Sequence, residues 1–217
     1  MTEPDFFAFR RSLLPPVPEI AQAAAFLNEC AREHRSGNRN AASLAIERAD
    51  LDAIREWTET IWGKHQQSIL RWRIDHCAPS NIPTAERALP RNPTAAMKRF
   101  LIARDGHYCR FCGIPVIRQE VRKKIQTAYP DVLSWGRRNS EQHAAFQCMW
   151  LQYDHLVPHK RGGATSPDNL VVTCAPCNFG RMSNTLQEVG LIDPRTLPIL
   201  RGPWDGLESA FAITQGH

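Results

Sequence analysis

Two Cys-x-x-Cys pairs constrain this chain more than any other feature of its sequence. The first pair is Cys109 and Cys112 in YCRFCG, and the second is Cys174 and Cys177 in TCAPCN. Two such pairs, each with a two-residue spacer, are a common way to present four thiolates to one tetrahedral zinc ion. A closed four-cysteine site has no open coordination position, so we predict a structural zinc that joins the start of a domain to the start of a helix.

The three remaining cysteines, Cys30, Cys77 and Cys148, have no such spacing. A disulfide framework is typical of smaller, secreted, cysteine-dense chains, so we predict buried apolar cysteines here. No run approaches the roughly 18 to 20 apolar residues of a membrane span. The N-terminal MTEPDFFAFRR lacks the pattern of a signal peptide. We therefore expect a cytoplasmic protein without a membrane anchor.

The stretch LQYDHLVPHKRGGATSPDNLVVTCAPCNFGRM, residues 151–182, contains a carboxylate, an imidazole and two amides. These residue types can hold a metal and activate water. The order Asp-His, Gly-Gly, Asn-Leu and Cys-x-x-Cys-Asn resembles that of the HNH endonucleases over residues 94 to about 189. The resemblance implies an α+β fold, in which a mainly helical chain surrounds a small ββα-metal core that the four-cysteine zinc site holds together.

The resemblance also implies roles for four residues. His155 matches the general base that activates water. Asp154 and Asn178 match the ligands of a divalent metal, and their oxygen donors favour Mg²⁺ or Mn²⁺. Asn169 matches an asparagine whose amide bridges backbone groups, and Asn178 stands where many members carry histidine. The implied reaction is hydrolysis of DNA to a 5′-phosphate and a 3′-hydroxyl, and a role in restriction or defence follows from family habit alone.

The positive charge of the chain is concentrated beside the first cysteine pair. Residues 1–93 carry 12 basic and 12 acidic side chains, residues 94–138 carry 10 and 3, and residues 139–217 carry 5 and 7. This distribution indicates a polyanionic partner, although a solvated helix surface explains part of it equally well. The candidate nucleic-acid contacts are Arg118, Arg122, Lys123, Lys124, Lys160, Arg161 and Arg181.

Outside the motif the sequence is mainly helical. We predict a helix over residues 19–35, one long helix or two abutting ones over residues 41–76, and a helix over 95–104 capped by Thr94. Ile117, Val121 and Ile125 form the apolar side of a further helix whose other side carries the basic residues named above. In the motif itself we expect strands over residues 151–155 and 170–173 and a helix from about Cys177 to about Val189.

This pattern divides the chain into three parts. Residues 1–93 form a helical region, for which we predict a role in targeting, dimerisation or partner binding. Its tryptophans are typical of a helix-packing core or, as the alternative, of a protein interface. Residues 94–190 form the nuclease domain with a helical insertion at 113–150, and residues 191–217 form a tail packed on it. The four prolines of 78–93 indicate a linker or an ordered connection.

Two other functions remain open on the sequence. A zinc-knuckle protein with a vestigial nuclease site would bind nucleic acid through the same basic segment and the same cysteines. The intact Asp154, His155 and Asn178 argue against it, because a binding protein has no need of them. An RNA-cleaving nuclease is the second alternative, although the stretch shows no aromatic motif of the kind that RNA-recognition sheets use.

Overall fold

The computed structural model describes residues 9–62 and 76–211. Within these ranges the chain forms seven α-helices and one two-stranded antiparallel sheet. The helices are α1 (Glu19–Arg35), α2 (Arg39–Arg48), α3 (Asp52–Trp62), α4 (Ala95–Asp105), α5 (Gln119–Ala128), α6 (Ala144–Cys148) and α7 (Ala175–Arg181). The strands are β1 (Leu151–His155) and β2 (Leu170–Cys174). The expected α+β class is therefore confirmed.

The N-terminal part is a group of three helices. Helix α1 has the predicted bounds, and the chain turns after it through Gly37, whose φ of 81° favours glycine. The sequence left open one long helix or two abutting ones over residues 41–76, and the described part forms two helices, α2 and α3, separated near Asp50. The Asp50 carboxylate accepts hydrogen bonds from Arg55 and from the backbone N–H of Ala144, which ties this break to the start of α6. Residues 63–75 of the predicted helix lie outside the described residues.

Helix α3 packs directly on α7. A Cβ added at Gly180 would lie 2.5 Å from Cγ2 of Ile61, so only glycine permits this close approach. The rings of Trp62 and Phe179 stack with their centroids 4.6 Å apart. Trp57 is buried and its indole N–H donates to the carbonyl of Pro15, so the packing interpretation of this tryptophan is confirmed.

The sheet is a hairpin whose register pairs Leu151 with Cys174 and His155 with Leu170. Both strands have the expected position. Helix α7 follows β2 without a loop, so it begins two residues before the predicted start at Cys177. It also ends at Arg181 rather than near Val189, because Met182 has a φ of 55° and leaves the helical conformation.

Helix α4 places the first cysteine pair beside this hairpin. Thr94 caps the helix as predicted, accepting from the backbone N–H of Met97. Asp105 at the other end is buried, and its carboxylate accepts from the backbone N–H of Val172 in β2. The backbone N–H of Arg110 then donates to the Val172 carbonyl, so the chain leaves α4 paired with the edge of β2.

The tail packs on the rest of the chain over its described part, 191–211. The indole N–H of Trp204 donates to the carbonyl of Val116, and Phe211 stacks on His34 of α1. Buried side chains from α1 to Phe211 form one continuous core. The division into three parts stays a prediction. Among the described residues, every helix is too short or too polar to cross a membrane.

Candidate active site

The two cysteine pairs meet at the junction of β2 and α7. The four sulfur atoms of Cys109, Cys112, Cys174 and Cys177 lie within 4.8 Å of one another, and Cys112 Sγ is 3.6 Å from Cys174 Sγ. A tetrahedral zinc with Zn–S bonds of about 2.3 Å separates its sulfurs by about 3.8 Å, which this cluster matches. The thiols also form hydrogen bonds with one another. Burial raises the pKa of Cys109, but hydrogen bonds from the other three thiols outweigh this effect and lower the pKa well below its usual value.

The other three cysteines are separate from this cluster. Cys30 and Cys148 are buried, as expected, and burial raises the pKa of each thiol. Cys77 is exposed, so the expectation that it is buried is wrong. Cys77 directly precedes the 78–93 segment, and most residues of that segment are themselves exposed.

An open cleft of about 610 Å³ lies along the end of β1 and the start of α7. It brings together Asp154, His155 and Asn178, the three side chains that the sequence assigns to the metal and the base. Strand β1, the loop between the strands and the 78–93 segment all contribute lining residues. The other lining side chains used below are Trp62, Arg87, Arg91, His159, Lys160 and Phe179.

His155 is the last residue of β1 and its ring is largely buried. Its Nε2 lies 2.9 Å from the hydroxyl of Thr165, and that hydroxyl donates to the backbone carbonyl of Arg91 at 3.0 Å. Burial and the charges of His159, Arg91 and Arg181 lower the pKa of His155 to about 4. The imidazole is therefore neutral near physiological pH.

Asp154 is held by a buried arginine. The Arg181 Nε and Nη2 atoms donate to the two carboxylate oxygens at 2.9 and 2.5 Å, and Arg181 is 0% exposed. Arg181 also donates to the backbone carbonyls of His155, Leu156 and Asn184. Burial raises the pKa of Asp154, and the hydrogen bonds and charge of Arg181 oppose this rise.

Asn169 joins the two ends of the loop between the strands. Its amide nitrogen donates to the carbonyls of Val157 and Ala164 at 3.1 and 2.8 Å, and its oxygen accepts from the Val157 N–H at 2.8 Å. A Cβ added at Gly163 would lie 1.8 Å from the Val157 carbonyl oxygen, so glycine is required where the loop folds back. This bracing fixes the backbone directly after His155.

Asn178 lies in the first turn of α7, next to Cys177, and is half-buried. Its side-chain amide has no hydrogen-bond partner among residues 9–62 and 76–211. The amide oxygen and the Asp154 carboxylate border the same cleft, and both are the hard oxygen donors that Mg²⁺ and Mn²⁺ prefer. The donor set at this position therefore fits a divalent cation.

The predicted basic surface is largely engaged in other contacts. Arg122 is buried with its guanidinium 3.7 Å from the ring centroid of Trp135, so its placement on an exposed helix face is wrong. Arg181 is committed to Asp154 and offers no surface to a phosphate. Arg118 is ion-paired with Glu208 and Arg161 with Glu188. The exposed members of the predicted set are Lys123, Lys124 and Lys160.

Sequence patterns did not indicate Thr165, Arg87 or Arg91 as part of this site. Thr165 stands in a loop between the glycine pair and Asn169, where threonine is ordinary. Arg87 and Arg91 belong to the proline-rich 78–93 segment, which reads as a connection. The resemblance to the HNH motif directs attention to the loop that contains Thr165. No sequence pattern links the 78–93 segment to that loop.

Comparison with known proteins identifies the same stretch. Residues 140–181 match the family model of the HNH endonuclease, a segment that contains Asp154, His155, Asn169, Asn178 and the second cysteine pair. The first cysteine pair lies outside the matched segment. No curated protein matches the chain, and no solved structure matches it either. HNH domains are in general endonucleases that act on nucleic acid, and residues 140–181 of this chain are similar to such a domain.

Proposed function

We propose that this protein is a metal-dependent endonuclease that hydrolyses phosphodiester bonds of DNA. The observation that supports it most is the convergence of His155, Asp154 and Asn178 on one open cleft. A phosphodiester needs an activated water and a group that stabilises charge on the phosphate and on the leaving oxygen. The cleft offers residues for both requirements.

His155 acts as the general base through Nδ1. The Thr165 hydroxyl has a single proton, which it donates to the Arg91 carbonyl, so it accepts from His155 Nε2. Nε2 therefore carries the ring proton, and Nδ1 is the unprotonated nitrogen that takes a proton from water. A phosphate beside Arg91 and His159 would offset their charges and raise the pKa of His155 towards that of an efficient base.

Asp154 and Asn178 hold the divalent cation. Arg181 orients the Asp154 carboxylate, and each carboxylate oxygen keeps a second lone pair for a further ligand. When bound, Mg²⁺ or Mn²⁺ supplies positive charge to the phosphate and to the leaving oxygen. Asn169 contributes by bracing the loop that follows His155, so we assign it a positioning role.

The four cysteines hold a structural zinc ion. Their sulfurs are clustered at the junction of β2 and α7, and Asn178 follows Cys177 directly. A zinc ion there fixes the position of Asn178 relative to β1, which carries Asp154. None of the four cysteines lines the cleft, so zinc stabilises the site without joining the reaction.

One observation favours the alternative of a nucleic-acid-binding protein with a vestigial site. Asp154 is buried and already forms two hydrogen bonds to Arg181, so a cation competes with a guanidinium for it. An RNA substrate is a further alternative. A protein partner or second copy bound through the N-terminal helices, and a cytoplasmic location, stay predictions.

Plasmid cleavage tests the proposal. Wild-type protein is incubated with supercoiled plasmid in buffer with Mg²⁺, with Mn²⁺ and without added divalent metal, beside His155→Ala. His76→Ala is the matched control, because His76 is an exposed histidine that does not line the cleft. We expect metal-dependent cutting by the wild type and by His76→Ala only. Binding without cutting would favour the vestigial alternative, and equal cutting by His155→Ala would exclude its role as the base.

A further inference from the structure

The 78–93 segment forms one wall of the cleft. The backbone N–H of Ile82 donates to the Lys160 carbonyl at 2.9 Å, and Arg161 donates to the carbonyl of Pro79. His159 Nε2 donates to the carbonyl of Ala88 at 2.6 Å. Together with the Thr165–Arg91 bond described above, these contacts fasten the segment to residues 159–165 of the loop between β1 and β2. The segment is therefore an ordered part of the site rather than a free linker.

This wall gives the cleft a positive charge. The side chains of Arg87 and Arg91 line it, and Lys160 lies across the loop. Among the described residues, none of these three cations forms an ion pair with a carboxylate. Asp154 is the only acidic residue in the described lining, and Arg181 neutralises it. The cleft is thus complementary to a polyanion.

The arginines of the wall are arranged to bind a planar or tetrahedral anion. The Nε of Arg87 donates to the Ile82 carbonyl at 3.0 Å, which fixes the guanidinium while its two terminal nitrogens have no partner among the described residues. Arg91 is exposed at the mouth of the cleft and close enough to His155 to lower its pKa. Guanidinium groups bind phosphate oxygens in a two-pronged geometry, and such bonds are charge-assisted.

We propose that Arg87 and Arg91 bind backbone phosphates of the DNA strand that occupies the cleft. The proposal rests on the proposed function for the identity of the polyanion. It moves the main phosphate contact from the basic side of α5, where the sequence predicted it, to a segment more than twenty residues earlier in the chain. On α5, Arg122 is buried and Arg118 is ion-paired, so that surface offers less free positive charge.

The test compares two double variants with the same change in net charge. Arg87→Ala/Arg91→Ala removes the two arginines of the wall, and Arg99→Ala/Arg137→Ala removes two exposed cations that do not line the cleft. Binding of the full-length protein to a fluorescent DNA duplex is measured by anisotropy at several salt concentrations, without added divalent metal so that no cutting occurs. Log K falls as log salt rises, and each lost phosphate contact lowers the magnitude of this slope by about 0.9.

We expect the magnitude of the slope to fall by about 1.8 for the wall variant and to stay unchanged for the control pair. Between about 50 and 200 mM salt, the affinity of the wall variant should therefore decrease about tenfold less than that of the wild type. Zinc content and melting temperature show whether each variant is folded. Arg91→Gln alone, at an exposed position, should lower the slope by about 0.9 and serves if the double variant is unstable.

Three results would overturn the proposal: an unchanged slope in the wall variant, an equal or larger fall in the control pair, or no salt-dependent binding by the wild type. The outcome is independent of the nuclease assignment. A protein that binds as expected and never cuts would retain the phosphate-binding wall and lose the proposed function. A protein that cuts with an unchanged slope in the wall variant would do the reverse.

Discussion

The guanidinium of Arg181 is completely buried and lies against both carboxylate oxygens of Asp154, at 2.9 and 2.5 Å. Arg181 ends α7 and Asp154 lies near the end of β1, so this ion pair joins two of the three elements of the motif. The same guanidinium donates to the carbonyl of His155, which follows Asp154. The arginine therefore holds the carboxylate and the adjacent strand end in a fixed relation to the helix that carries Asn178.

The first prediction concerns this pair. Arg181→Met should lower the free energy of unfolding by about 3–5 kcal/mol, because it leaves the Asp154 carboxylate buried without its partner. Urea denaturation followed by circular dichroism measures the change. The stability of Arg181→Lys should lie between those of the wild type and Arg181→Met, since a lysine keeps the charge and loses the two-pronged geometry.

The double variant Asp154→Leu/Arg181→Met is the control for this interpretation. Replacing both partners by apolar residues removes the unpaired charge, so much of the lost stability should return. The single variants Arg181→Met and Asp154→Leu are measured beside it. If the loss of stability in the double variant equals the sum of the two single losses, the pair is not coupled as the geometry indicates. In that case the loss in Arg181→Met comes from the three carbonyl contacts instead.

The second prediction concerns Thr165, which we class as a positioning residue. Thr165→Val removes the acceptor of His155 Nε2–H while it keeps the size of the side chain. The ring is then free to take the other tautomer, and kcat for plasmid cleavage should fall about 10- to 100-fold with KM little changed. Thr165→Ser keeps the hydroxyl and should restore most of the rate.

A general structural role would give a different pattern. If Thr165 merely supported the loop, Thr165→Ser and Thr165→Val would lose activity and melting temperature together. A shift in the pH dependence of kcat in Thr165→Val, at an unchanged melting temperature, is specific to the bond with His155. The absence of both the shift and the rate loss would remove Thr165 from the mechanism.

The sequence was sufficient to locate the motif, and the reason is that its elements are local. The strands β1 and β2 and the start of α7 follow from short stretches in which spacing, apolar pattern and turn glycines agree. The four cysteines could be grouped because a tetrahedral ion requires four thiolates at fixed distances. Thr94 could be assigned as a cap because the cap bond to Met97 spans only three residues.

The rest depends on contacts between residues far apart in the chain. His159 bonds to Ala88 across 71 positions and Thr165 to Arg91 across 74, and no local pattern connects them. Arg122 occupies a charged position of an amphipathic helix, yet Trp135, beyond the end of α5, covers it. The sequence favours Arg181 as a phosphate contact, because sequence alone does not show that the side chain is turned inwards.

The third prediction concerns the cysteine cluster. Cys109→Ser should abolish stoichiometric zinc binding and unfold the site, because metal binding and folding are coupled where three buried thiolates and one partly buried thiolate require neutralisation. Zinc content by atomic emission and melting temperature measure the two effects. Cys77→Ser is the matched control, since Cys77 is exposed and outside the cluster. A Cys109→Ser protein that keeps its melting temperature would show that the cluster does not stabilise the fold.

The fourth prediction concerns pH and His143, a fully buried residue whose Nε2 donates to the Ile46 carbonyl at 2.9 Å. Burial lowers its pKa, Arg55 adds to this, and Asp50, 3.9 Å from Nδ1, opposes it. In the unfolded chain His143 takes up a proton below about pH 6.5, so the contribution of the neutral buried ring to stability is present above that pH and is lost as pH falls.

His143→Gln keeps a donor for the Ile46 carbonyl and does not titrate. The unfolding free energy of this variant should therefore fall less than that of the wild type as pH is lowered from about 7.5 to about 5.5. The difference is at most about 1.4 kcal/mol per pH unit. Equal slopes in urea denaturation would show that His143 is not the titrating group, whatever the stability of the variant at neutral pH.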